Sequence, residues 1–275
     1  MKIFQKIIKY CALAFAILLI VMIFKFAVGS FLFVGSLFDE NQKAENLVER
    51  DIAFDFDDYD NLNIKAGVNR LTLKSGDRFS VVTNNKDVKI EEGKDVVIIS
   101  DDNNRGNVHF YKKDLELIVT LPTHRTLDSV SIEAGVGKVL IEELDCKNAI
   151  INLGVGGLEV NKINVTNAIK ISGGVGKITV HDGRLNNLEA DLSVGKLSAI
   201  LSLTGENKIK TGIGGLDLEL LDSSRNYTFK IEKDTGDITL NKDRVKTGVY
   251  GNGVHTVGIT GGIGEIKVTT ADKEN

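Results

Sequence analysis

A ten-residue unit recurs along the chain, built on an aliphatic centre followed at once by glycine. The copies read IEAGVGKVLI (132–141), INLGVGGLEV (151–160), ISGGVGKITV (171–180), ADLSVGKLSA (190–199), IKTGIGGLDL (209–218), IEKDTGDITL (231–240) and ITGGIGEIKV (259–268). An earlier relative, IKAGVNRLTL (64–73), lacks the glycine. The centres are Val136, Val155, Val175, Val194, Ile213, Thr235 and Ile263, at successive spacings of 19, 20, 19, 19, 22 and 28 residues. Self-similarity at a period of this size marks a repeat architecture, and it narrows the fold more than any other feature.

The phase within each unit narrows it further. Counted from the centre, the apolar positions are −4, −2, 0, +3 and +5, as in Ile151, Leu153, Val155, Leu158 and Val160. Steps of two are strand alternation. The one step of three breaks that alternation, so a chain keeping its apolar face inward must turn a corner there. Gly137, Gly156, Gly176, Gly195, Gly214, Gly236 and Gly264 occupy the corner, and glycine in a strand usually marks a bend or a close backbone approach. The expected fold is all-β: a parallel β-solenoid of ~20-residue coils, each burying its inward ladder against the next about 4.8 Å away. The expected core ladder includes the centres Val136, Val155, Val175, Val194, Ile213 and Ile263. An antiparallel sandwich or barrel is the competing arrangement; the near-constant period favours the solenoid.

Ahead of the repeats, residues 10–38 carry a single charge, Lys25. The uninterrupted part, Tyr10 to Phe24, would span about 22 Å as a helix, so crossing a ~30 Å hydrocarbon core must borrow from a flank. Lys2, Lys6 and Lys9 precede the run, and Asp39 and Glu40 follow it. The positive-inside bias then puts residues 1–9 in the cytoplasm and the body outside, on a single-pass anchor in the cell membrane. Cleavage after Ala27-Val28-Gly29 is the alternative, but the chain stays apolar for nine residues beyond Gly29. Residues 39–50 read as a short stalk. The extracellular domain then runs over 51–275: an irregular cap (51–128), regular coils (129–240) and a C-terminal cap (241–275).

The run LPTHRTLDSVSIEAGVGKVLIEEL (121–144), with the strand–glycine–strand units after it, resembles the bacterial "putative adhesin" family. The resemblance covers about residues 52–270. It implies a β-repeat domain of unknown function, often placed after one N-terminal membrane helix, with relatives beside genes for envelope-stress signalling in Gram-positive bacteria. The family commonly has Gly-Asp after the centre; here only Gly236-Asp237 does. The resemblance brings no catalytic residues.

Composition excludes several functions. Residues 1–38 hold four Lys and no acid, leaving 30 basic and 38 acidic residues in the body, a net −8. Without a basic cluster the body is not a nucleic-acid partner. The glycine turns fit neither a phosphate loop nor a dinucleotide fingerprint. GGVGKI (173–178) and GGIGEI (261–266) put Ile where a calcium solenoid needs Asp, so metal independence is expected, with DDNN (101–104) the first place an ion would be sought. His109, His124, His181 and His255 have no second ligand at short spacing. Cys11 and Cys146 form no disulfide framework. The outward positions mix charges without gathering carboxylates, and no aromatic residue falls between Tyr111 and Tyr227, so neither a polysaccharide-cleaving site nor a stacking platform for sugars is expected. The sequence leaves a non-enzymatic, cofactor-free extracellular module that binds an envelope protein or surface ligand. A scaffold polymerising through its solenoid ends is the second possibility.

Overall fold

The computed structural model describes residues 47–272 except 51, 53, 54, 69, 102–114 and 124. The described residues all lie in one compact unit, Gln42–Asn275. The expected membrane segment, 10–38, lies outside the described residues. Among the described residues no helix is long and apolar enough to cross a membrane.

The body is all-β. Its repeats stack in parallel register: Ile171 pairs with Ala190, Val175 with Val194, Gly176 with Gly195 and Ile178 with Leu197. The same columns continue through Ile209, Ile213 and Leu216. Strand geometry persists through the corners, so Leu127–Asn186 runs as one 60-residue extended segment covering three coils. In the coil centred on Val155 the inward residues are Ile151, Leu158, Val160, Ile163 and Val165, all buried. The period is set by this triple alternation of two inward residues and a bend.

The core consists of columns. Position −4 supplies Ile132, Ile151, Ile171, Ala190, Ile209, Ile259 and Ile231; position +3 supplies Val139, Leu158, Ile178, Leu197, Leu216, Ile266 and Ile238. All are buried. Each Val, Leu or Ile side chain among them contributes roughly 1.5–3 kcal/mol by leaving water.

The expected ladder at position 0 is corrected here. Val175, Val194, Ile213 and Ile263 are 42%, 40%, 56% and 56% exposed, and Val136 and Val155 are half-buried. Alternation points a residue inward only while the strand runs straight. At the corner the centre and its glycine turn together, so the centre sits on the convex apex, and the inward phase resumes at +3.

The stacking order departs from chain order at both ends. The coil built from His255–Ile263 and Ile266–Thr270 lies between the 206–220 coil and the 227–240 coil, pairing with both. Within the expected C-terminal cap, therefore, 255–270 forms an interior coil. The outer edge is made by Asp243–Val245 and Gly248–Gly251, which pair antiparallel with the 227–240 coil. At the other end Asn61–Val68 and Arg70–Gly76 form a regular coil on the one beginning at Leu127. Val96–Asp101 and Glu116–Pro122 stack outside it, and the antiparallel strands Val88–Gly93 and Ser80–Thr83 close that end.

Candidate functional site

The corner glycines explain why the coils approach so closely. Gly137, Gly156, Gly176, Gly195, Gly214, Gly236 and Gly264 have φ of 143°, 150°, 152°, 141°, 145°, 116° and 146°, a region side chains avoid. A Cβ on Gly176 would lie 1.5 Å from the Gly156 carbonyl oxygen, and one on Gly264 would lie 1.4 Å from that of Gly214.

A second column of small residues stands at position −1: Gly67, Gly135, Gly154, Gly174, Ser193, Gly212 and Gly262. A Cβ on Gly154 would meet the Gly135 oxygen at 2.3 Å, and one on Gly174 the Gly154 oxygen at 2.4 Å. This column bares the backbone on the outer face and opens a groove of about 880 Å³ across five coils. Its floor is Gly67, Gly135, Gly154 and Gly174; its bank is the −3 column of Lys65, Glu133, Asn152, Ser172 and Asp191. Lys170 stands at the same edge and bonds Glu189 at 2.7 Å. That bond holds the Glu189 carboxyl below, and the Lys170 ammonium above, their ordinary values. At the near end Asp101 accepts the Gly67 N–H at 2.7 Å.

The groove offers ammonium, carboxylate, amide and hydroxyl groups in adjacent coils. The Gly67 N–H on its floor is already taken by the Asp101 carboxylate, and the bank supplies the side chains that can read a ligand. Among the described residues no group of three or more His, Cys, Asp or Glu could hold a metal ion. Asp101 is described, while 102–104 lie outside the described residues, as do Cys11, His109 and His124. His181 faces Glu159 at 3.3 Å, and His255 Nδ1 accepts the Gly205 N–H at 3.2 Å. Burial pushes the Cys146 thiol up to about 12, so it stays protonated.

Sequence reasoning missed a third column, of asparagines, at another corner. Asn167 Nδ2 donates to Asn148 Oδ1 at 2.8 Å, and Asn187 Nδ2 to the Asn167 carbonyl at 3.0 Å. Asn207, fully buried, accepts the Leu188 N–H at 3.0 Å and donates to the Thr256 carbonyl at 3.1 Å. The signal was present as Asn-Ala-Ile at 148–150 and again at 167–169. On the outer face, lysine–carboxylate pairs join successive coils: Lys138–Glu159 at 2.8 Å, Lys162–Glu143 at 2.5 Å and Lys147–Asp128 at 2.6 Å.

The Toastrack DUF4097 family model matches residues 51–269. The chain belongs to the Toastrack DUF4097 family. Similar solved structures include a "putative cell adhesion protein" from Clostridium sporogenes, 16% identical, covering 82% of this chain and 99% of its own, with a TM-score of 0.36. A "putative adhesin" from Bacteroides fragilis is 17% identical, covering 82% and 98%, with a TM-score of 0.36. Another "putative adhesin", from Parabacteroides distasonis, is 15% identical, covering 82% and 97%, with a TM-score of 0.30. No curated protein matches the chain. The Toastrack match spans both out-of-order coils as well as the regular ones, so the whole stack is the family's unit.

Proposed function

We propose that this chain is an adhesin-like, non-enzymatic interaction module of the bacterial cell envelope. Residues 10–38 hold it at the membrane, and the β-stack stands outside. The observation that carries the reading is the groove: a rigid trough about 880 Å³ in volume whose bank presents a different polar group in each coil. A surface of that kind recognises an extended ligand by many modest contacts. The family resemblance supports the same reading, as does the basic flank of the apolar run. A scaffold growing end to end is less well supported, because each end of the stack is closed by antiparallel strands on which parallel coils cannot continue.

Two measurements test it. Protease added to intact cells is expected to remove the body; full protection overturns the topology. Immobilised full-length chain is expected to retain a component of envelope extracts, and Glu133→Lys with Asp191→Lys is expected to lower that retention at least several-fold without changing the melting temperature. Equal retention by the variant overturns the groove as the binding site.

A further inference from the structure

The exposed corner row is the most apolar surface on the regular coils. In stacking order it runs Val136, Val155, Val175, Val194, Ile213, Ile263, Thr235. The strongly exposed members are four consecutive ones, Val175, Val194, Ile213 and Ile263. Smooth columns flank them: glycines at +1, and glycine or Ser193 at −1 in each of these coils. Nothing among the described residues covers the row.

The charges beside the row are ordered. At +2 the stack reads Lys138, Gly157, Lys177, Lys196, Gly215, Glu265, Asp237. Lys138, Lys196 and Asp237 are paired within the chain with Glu159, Asp217 and Arg244; Lys177 stands on the N-terminal side of the row's middle and Glu265 on the C-terminal side. A surface with an apolar middle and opposite charges at its two ends is complementary to itself when turned end for end.

We infer that two copies of this chain pair antiparallel, face to face, through this corner row. A two-fold axis perpendicular to the stack, midway between Val194 and Ile213, sets Val194 against the partner's Ile213 and Val175 against the partner's Ile263. The same rotation brings each +2 column against its own copy in reverse. Lys177 then meets the partner's Glu265, twice per pair, and Lys196 meets the partner's Gly215. This register alone sets each of the four exposed aliphatics against another of the four. A shift of one coil toward the N-terminal end puts Lys196 on Lys196 and leaves Ile263 against the half-buried Val155; a shift the other way keeps opposite charges together but sets Val175 against Thr235.

The contact is narrow, one apex and its glycine shoulders over four coils. It falls below the ~800 Å² per partner of a standard stable interface, so the pair is weak in isolation and gains strength from many copies on a surface. Antiparallel pairing suits molecules presented from two opposed surfaces, because it places the two N-terminal ends at opposite ends of the pair. The inference rests on the reading of the body as a surface interaction module and names its partner as a second copy.

Sedimentation of the full-length chain in detergent micelles over a concentration series tests it. The unaltered chain is expected to shift from monomer to dimer. Lys177→Glu and Glu265→Lys each place like charges at both contacts and are expected to weaken pairing roughly tenfold. Both positions are exposed, so melting temperatures should match the parent. An equimolar mixture of the two variants restores both opposite-charge contacts and is expected to pair as the parent does; the double variant is expected to do the same. A chain that stays monomeric throughout overturns the pairing, as does dimerisation indifferent to either reversal or a mixture that fails to recover. Cell-surface exposure with a monomeric chain leaves the module and removes the pairing; a charge-dependent dimer protected from external protease does the reverse.

Discussion

At the scale of single residues, two glycines of one coil separate conformation from composition. Gly214 follows the centre with φ of 145°, and a Cβ there would lie 1.5 Å from the Gly195 oxygen. A Cβ on Gly215, the next residue, would come no closer than 3.4 Å to its nearest neighbour, the Glu265 oxygen. Gly214→Ala must therefore open the stack, and a loss of more than about 3 kcal/mol is expected. Gly215→Ala is expected to stay within about 1 kcal/mol of the parent. Chemical unfolding of both variants checks this, and equal losses would mean the corner is not where stacking is tightest. The apolar positions divide in the same way. Ile178 is buried at +3 and Val175 is exposed at the apex of the same coil. Ile178→Asp strands a carboxylate in the core and is expected to unfold a domain whose whole stability is of order 5–15 kcal/mol. Val175→Asp is expected to cost less than about 1 kcal/mol. The columns at −4, +3 and +5 were legible from the sequence because alternation fixes them. The apex was not, because a valine in a repeating unit carries no mark distinguishing the last inward place on a strand from the outside of a bend.

At the scale of elements, neighbouring coils are tied by their ladders and by charge pairs one coil apart. Lys138, and after it His181, hold the Glu159 carboxyl below its ordinary range. A carboxyl lowered on folding stabilises the folded state above its unfolded-state value and loses that contribution as pH falls through its folded value. Replacing Lys138 with Met is therefore expected to flatten the fall of stability on acidification between about pH 6 and pH 3. The Glu159 side chain is 32% exposed, so the difference at neutral pH should stay below about 1 kcal/mol. Urea midpoints against pH for the two proteins measure it, and parallel curves would show that the pair contributes nothing. These pairs could not be read from one unit alone. They appear when Lys138 and Glu159 are placed on adjacent coils, and that needs the register. The asparagine column was equally present in the sequence, but it lies half a coil away from the glycine motif that drew attention.

At the scale of the whole molecule, the period revealed a stack but not its order. The spacings of 22 and 28 residues at the C-terminal end look like looser copies of the same step. They arise because the chain lays down the 227–240 coil, turns back through two antiparallel strands, and fits 255–270 into the space left between that coil and the 206–220 coil. Repeat proteins that stack in chain order lose one unit when the last is removed. Here the last repeat is interior, and among the described residues Tyr227–Thr235 finds its parallel partner only in His255–Ile263. A chain ending at Val254 should therefore lose two layers. Residues 227–251 keep only their antiparallel hairpins, a pairing marginal by itself in water, while the coils up to Leu220 retain their own ladders. Amide hydrogen exchange on the truncated chain is expected to show protection through the 188–204 coil and near-complete loss of it over 227–251. Persisting protection over 227–251 would mean that the 227–240 coil can dock directly on its predecessor, and that the inserted coil is an addition to the stack, not the piece that holds its end.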